Sequence, residues 1–299
     1  MTFVQRVALA CLILALVAPM ALAGPNAGGV LVVHSTTLAY TDTDEYIGQS
    51  GIACGQDGPE FPGTQECPPY DPIGGATPCN VNAAVATSNN AAEATTVWFV
   101  LAAFAEQTCP RLKATAFSFR YDSTEVTVFD YGAQDPSDPQ LVFELPSPSQ
   151  YDQQPFPASG SSMALSFTQL RTSQLQELIW FAGYSYTGST EPRWQLQGHA
   201  NALNRFFVDD SVPPVEDAIE GYGYLGFEGT PGFNPSPVQP YACCIYDGLG
   251  GVECRVLTLD GCTAAGGNQL TEYFCTPEIC FIPPVQETTW GQVKVKYTD

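Results

Sequence analysis

Thr95-Thr-Val-Trp-Phe-Val-Leu-Ala-Ala-Phe104 is a continuous apolar run without a single charge. It is too short to cross a bilayer, which takes about 20 residues. Its valine, threonine and aromatic content favours extended backbone. A run of this kind fits a buried central strand. The next strand-like stretch, Leu112-Lys-Ala-Thr-Ala-Phe-Ser-Phe-Arg-Tyr121, alternates and sets Phe117 and Phe119 on one face. Residues 125–131 then place Val126, Val128 and Asp130 against Thr127 and Phe129. A period of two is the signature of a strand with unlike faces.

Working outward, residues 30–33, 141–145, 163–167, 179–186, 193–197 and 222–227 read as further short strands between Pro, Gly, Ser and Asp turns. The expectation is an all-β chain: a β-sandwich over residues 24–230, followed by a small disulfide-rich module. Helix signals are few. Residues 173–178 suggest a turn or two, with Ser173 as N-cap and Gln176 or Glu177 in the first turn. The alanine-rich stretch 80–94 reads as helix or loop. Residues 48–79, rich in Gly, Pro, Asp and Gln, read as a long irregular loop.

The N-terminus carries one positive charge, Arg6, before an apolar run at 7–17, a break at Pro19 and then Ala21-Leu22-Ala23. This is the order of a secretory signal peptide, with cleavage expected after Ala23. An uncleaved anchor is the competing reading. No later stretch has the length and apolarity of a membrane span. The chain has 31 acidic against 10 basic side chains, a net charge of −21. Such a surface repels nucleic acid and anionic lipid, so neither is expected as a partner.

The sequence holds 11 cysteines. All except Cys11 lie beyond the leader: Cys54, Cys67, Cys79, Cys109, Cys243, Cys244, Cys254, Cys262, Cys275 and Cys280. An exported chain with an even set favours disulfides over zinc, and no CxxC pair is present. The first four allow three pairings, of which Cys54–Cys79 with Cys67–Cys109 is the one favoured here. The last six fall in residues 241–282, a unit too small to fold on its own core, which three disulfides would staple. Asp247-Gly248 reads as a hairpin turn within it. Gly229-Thr-Pro-Gly-Phe-Asn-Pro-Ser-Pro-Val-Gln-Pro240 precedes it, and residues 231–240 read as a linker. Residues 283–299 form a C-terminal tail.

The module reads Ala242-Cys243-Cys244, Asp247-Gly248, Cys254, Leu257-Thr258, Cys262, Gly266-Gly267, Cys275 and Cys280. It resembles a cysteine-rich module found in uncharacterised exported bacterial proteins. The tail Thr289-Trp290-Gly291-Gln292-Val293-Lys294 is similar to the Thr-Trp-Gly-x-x-Lys endings of that group. The resemblance carries over no functional residue. The strand pattern is also similar to cohesin-like sandwiches.

A serine hydrolase needs a nucleophile, a base and an oxyanion hole. Gly183-Tyr-Ser185-Tyr-Thr187 lacks the second glycine of a nucleophile elbow, and His199 is the histidine placed to serve it. His34 reads as structural or exposed. The densest acidic group is Asp209, Asp210, Glu216, Asp217 and Glu220, read as a loop split by Pro213-Pro214. Loop carboxylates are hard oxygen ligands, so Asp209, Asp210 and Asp217 are calcium candidates. Asp42 and Asp44, beside Glu45, form a second candidate, although no EF-hand loop follows. Calcium is the one cofactor the sequence suggests.

Tyr184, Tyr186, Trp194, Tyr222 and Tyr224 are candidates for an aromatic platform, or for core. Trp290 and the tail segment 292–297 read as an exposed or docking strand. The reading is of a secreted or cell-surface structural or binding protein without catalytic activity. Its partner is expected to be an extracellular protein or polysaccharide. A carbohydrate-binding protein with a calcium site is the alternative, and a secreted hydrolase the third.

Overall fold

A computed structural model describes residues 24–53, 80–105, 108, 110–133, 142–150, 153–198, 206–238, 241–246, 252–269 and 280. The strands are β1 (Val30–Ser35), β2 (Thr96–Ala103), β3 (Leu112–Tyr121), β4 (Val126–Gly132), β5 (Val142–Ser147), β6 (Ser162–Arg171), β7 (Leu175–Ser185), β8 (Arg193–Gln197), β9 (Phe206–Val208), β10 (Glu216–Ala218) and β11 (Tyr224–Gly226). They form a four-stranded sheet, β1-β2-β7-β4, and a seven-stranded sheet built on β10-β9-β3-β6-β5. In the second sheet β8 also pairs with β3, and β11 pairs with β8. All of these strand pairs are antiparallel.

The two inner faces meet in one core. Leu31, Val33, Trp98, Val100 and Phe181 come from the first sheet, and Phe117, Phe119, Trp194, Leu196 and Phe207 from the second. At its centre the Trp194 ring lies 5.0 Å from both Phe119 and Phe181 and 5.6 Å from Trp98. Trp98 and Trp194 are fully buried. Each such side chain contributes about 2–3 kcal/mol by leaving water. Trp194, a sequence candidate for a surface platform, is therefore a core residue.

β2 accounts for the unbroken apolar run at 95–104. All eight of its residues are buried. Its second face packs beneath the segment 36–53, whose Leu38, Tyr46, Ile47 and Ile52 lie on Val97, Phe99, Leu101 and Trp180. An antiparallel strand covered on both sides needs no alternation.

The turn of helix expected at 173–178 is strand instead. Leu175, Gln176 and Glu177 pair with Ala103, Ala102 and Leu101 beyond a β-bulge. Glu177 is polar because its carboxylate accepts hydrogen bonds from Gly48 N (2.5 Å) and Ser50 N (3.0 Å) of the covering segment. Stretch 80–94 holds one turn of 3-10 helix, Val81–Ala83, and an isolated bridge at Thr87, and is otherwise irregular.

The Pro-rich residues 231–238, read as linker, lie along the sandwich. Asn234 Oδ1 accepts from Val33 N at 2.8 Å, and its Nδ2 donates to the Val33 carbonyl at 2.8 Å. Phe233 bridges Tyr224, and Val238 N donates to the Gly28 carbonyl. An asparagine side chain presents one donor and one acceptor here, so it completes the open edge of β1 as a neighbouring strand would.

The second unit is a three-stranded sheet: β12 (Tyr241–Tyr246), β13 (Val252–Leu257) and β14 (Asn268–Gln269), with a short helix α1 (Leu259–Ala264). β12 and β13 form a hairpin whose turn lies outside the described residues. Disulfides join Cys243 to Cys262 and Cys244 to Cys280, and Cys254 is also disulfide-bonded. Cys54, Cys67, Cys79, Cys109 and Cys275 lie outside the described residues, as do His199, Trp290 and the tail.

Candidate functional site

Side chains on the outer face of the four-stranded sheet divide into two groups. Trp180 and Ala182 of β7 lie under the covering segment. Farther along β7 the cover ends, and Tyr184 and then Tyr186 stand on the same outward parity. Tyr186 is 36% exposed.

On the neighbouring strand β4, Val128 pairs with Gly183 and Asp130 with Ala182, so Phe129 is an extra residue in a bulge. A bulge leaves its residue unpaired and re-aims the side chain. Phe129 is turned outward and is 43% exposed. The bulge also reverses the expected parity of Asp130, which pairs with outward Ala182 rather than lining the Val126 and Val128 face. Gly183 permits this arrangement, because a Cβ there would overlap the Thr127 carbonyl.

The result is a run of four aromatic rings. Tyr40, from the covering segment, meets Phe129 edge-on at 5.1 Å. Phe129 lies 6.1 Å from Tyr184 at an interplanar angle of 47°. Tyr184 meets Tyr186 at 5.5 Å and 85°. Edge-to-face and tilted pairs are favoured by the ring quadrupoles.

Carboxylates edge this run. Tyr40 Oη donates to Asp130 Oδ2 at 2.6 Å. Burial first, then Asp130, pushes the Tyr40 hydroxyl well above the ordinary phenol range, so it remains a donor. Asp42 is exposed and adds to the negative field at Tyr40, and Asp44 is exposed on the same loop. Glu45 folds inward instead, accepting from the Trp180 indole N–H and from Tyr46 N. Burial raises the Glu45 pKa. At the far end of the run, Thr187 Oγ1 donates to Glu93 Oε1 at 3.0 Å.

The other acidic candidates are engaged within the protein. Asp209 accepts from Ser211 N (3.0 Å), the Ser211 hydroxyl (2.5 Å) and Val215 N (2.8 Å), which closes the β9–β10 turn. Asp210 holds Arg111 in a two-pronged ion pair at 2.8 and 2.6 Å, and the Arg111 hydrogen bond holds its pKa below the usual value. Asp217 lies in β10 rather than a loop, is buried, and accepts from Gly24 N and Asn26 N. Among the described residues no three carboxylate, imidazole or thiol side chains converge on a point that would hold a metal ion.

Ser185 of the elbow-like stretch donates its hydroxyl to Glu228 at 2.6 Å. His34 is buried and accepts from Val85 N through Nδ1 at 2.9 Å, with burial lowering its pKa. An open depression of about 360 Å³ between β3 and β8 is lined by Arg120, Asp122, Glu125, Glu191 and Arg193. Its mixed charges show no nucleophile–base pair. Tyr222 and Tyr224 are half-buried, and Tyr224 packs on Phe233.

Sequence reasoning found Tyr184 and Tyr186 and missed Tyr40 and Phe129. The available signal was Phe129, an apolar residue sharing a strand face with Thr127. No helix among the described residues is long and apolar enough to cross a membrane.

No protein-family model and no curated protein matches the chain. Solved structures show a partial likeness to cohesins. The seventh ScaB type I cohesin from Pseudobacteroides cellulosolvens covers 50% of this chain and 94% of its own, at 10% identity and a TM-score of 0.33. CaCohA2 from Clostridium acetobutylicum, in solution, covers 48% of this chain and 88% of its own, at 13% identity and a TM-score of 0.33. A crystal structure of CaCohA2 in complex with a CaDoc0917 variant gives 48% and 96%, 13% identity and a TM-score of 0.34.

Proposed function

We propose that this chain is a secreted or cell-surface binding protein without catalytic activity, and that the Tyr40–Phe129–Tyr184–Tyr186 run is its contact face. The observation that carries this reading is the exposure of Phe129 and Tyr186 at 43% and 36% on an otherwise covered sheet face. Exposed aromatic groups with a polar rim are the composition of interface hot spots. The leader-like N-terminus and the disulfides of the second unit support the extracellular setting.

The partner that fits best is a protein segment with apolar side chains and basic flanks. The rings lie at 82°, 47° and 85° to one another and so form pockets and ridges rather than a plane. Asp130 and Asp42 border them with negative charge at Tyr40. A polysaccharide is the second reading, favoured by the hydroxyl and carboxylate groups beside exposed rings. It would stack on single rings, since no two neighbours in the run are coplanar.

The test is retention of extracellular protein and of polysaccharide fractions on the immobilised oxidised protein, with Phe129→Ser as comparison. The proposal expects a protein ligand that the variant loses. Equal retention by both would remove the face from consideration. A glycan retained in place of protein would select the second reading.

A further inference from the structure

Gly24 is buried against a carboxylate. Gly24 N lies 2.5 Å from Asp217 Oδ1, and Asn26 N lies 2.9 Å from Oδ2. Asp217 is 3% exposed. Residue 24 has no room for a side chain: a Cβ would stand 2.5 Å from Asp217 Oδ2 and 2.9 Å from Val215 Cγ1.

The charges acting on Asp217 have its own sign. They belong to Asp209, itself 3% exposed, and to Glu220. The nearby cation Arg111 is committed to Asp210. A buried carboxylate with two backbone donors, two anionic neighbours and no ion-paired cation among the described residues is a site short of one positive charge. Residue 24 is also the first position after Ala21-Leu22-Ala23, whose small residues read as a leader-peptidase cleavage site.

We propose that the chain is cut between Ala23 and Gly24, and that the new α-ammonium of Gly24 is the counter-ion of Asp217. Water adds across the Ala23–Gly24 peptide bond under a leader peptidase. Its oxygen goes to the Ala23 carbonyl carbon and a proton goes to the Gly24 nitrogen. At neutral pH the new carboxyl group loses its proton, and the new amine takes one up. A one-hydrogen amide thereby becomes a three-hydrogen cation already seated on the carboxylate. Processing thus installs the missing charge, and the folded state of the mature chain is tighter than that of the precursor.

In the uncut chain burial pushes Asp217 up to about 6. A carboxyl group whose pKa rises on folding favours the fold below its unfolded value and loses that contribution as pH rises through about 6. Uncut, Asp217 therefore weakens the fold at neutral pH. Pairing reverses this, and raises the ammonium above its unfolded value of about 7.7–8.0. The stability gained is present below about 7.7 and is lost as pH rises through the folded-state value.

The experiment compares two oxidised proteins at pH 6.5. One begins at Gly24, released by a protease that leaves glycine first. The other carries Ala-Leu-Ala ahead of Gly24. The chain starting at Gly24 is expected to melt about 5 °C higher. The difference is expected to vanish on Nα-acetylation and in Asp217→Asn. Equal melting of the two chains would overturn the proposal, as would a gap that survives acetylation. Should Asp217→Asn fail to fold, the α-amino pKa of a nitrogen-labelled Gly24 decides the matter. A value above 8 is expected, and one at or below the unfolded value of about 7.7 would refute the pair.

Discussion

The Glu177 carboxylate of β7 holds the covering segment by two of its backbone N–H groups, Gly48 at 2.5 Å and Ser50 at 3.0 Å. This contact anchors the covering segment over the start of β7. Hydrogen bonds to a charged acceptor contribute about 1.5–3 kcal/mol each, and leaving their donors unsatisfied costs more than the mean. Glu177→Ala should lower stability by about 2–4 kcal/mol and speed amide exchange across residues 36–53 before the core strands respond. Denaturant unfolding and hydrogen exchange check both parts.

His34 is one source of acid sensitivity in the sandwich. Its Nδ1 accepts from Val85 N, which requires an unprotonated nitrogen, and burial lowers its pKa. The folded value lies below the unfolded value of about 6.5, so the unfolded chain takes up the proton first. The stability tied to His34 is present above about 6.5 and is lost as pH falls through the folded value. An NMR titration of the imidazole should show a midpoint under 6.5. A midpoint at or above that value would contradict the buried, neutral ring.

Calcium should leave the sandwich unmoved. Asp209 is held by Ser211 and Val215 and Asp210 by Arg111, while Asp217 is buried on Gly24 and Asn26, where the mature chain's own α-ammonium takes the cation's place. A cation would have to displace those donors. Melting with calcium and with chelator should agree within about 1 °C, because a ligand raises stability only when it binds the folded state.

Most of the architecture was legible in the sequence, because strand parity survives where one face is buried. The strand at Leu112–Tyr121 coincides with the stretch read from alternation, and Phe117 and Phe119 both reach the core. The misreadings have local causes. Residues 173–178 carry polar groups that suggest a helix start, yet Glu177 is polar to anchor a segment more than a hundred residues away in sequence. The short strands Phe206–Val208 and Glu216–Ala218 are too brief to show a period. Asp130 was assigned a face by strict alternation, which the one-residue bulge at Phe129 overturns. Tyr40 joins the aromatic run only through tertiary folding, which no local pattern encodes.

The disulfides of the second unit should matter to it far more than to the sandwich. Cys244–Cys280 closes a separation of 36 residues, and Cys243–Cys262 one of 19. Each cross-link is worth about 2–4 kcal/mol through the freedom it removes from the unfolded chain. Cys244→Ser with Cys280→Ser should release the β12–β13 sheet to proteolysis. The near-ultraviolet dichroism of Trp98 and Trp194, buried in the other unit, should remain.

The contact face is tested most directly by binding of a captured extracellular protein ligand to three variants: Phe129→Ser with Tyr186→Ser, Asp130→Asn, and Val212→Ser. Val212 is 97% exposed, on the β9–β10 loop of the other sheet, and serves as the control. Loss of the two exposed aromatic anchors should weaken binding by at least about 30-fold, the scale of a 2 kcal/mol hot spot. Asp130→Asn should weaken it less, and Val212→Ser should bind as the parent does. Parent-like binding by the Phe129 and Tyr186 variant, with its fold intact by dichroism, would contradict the assignment of this face.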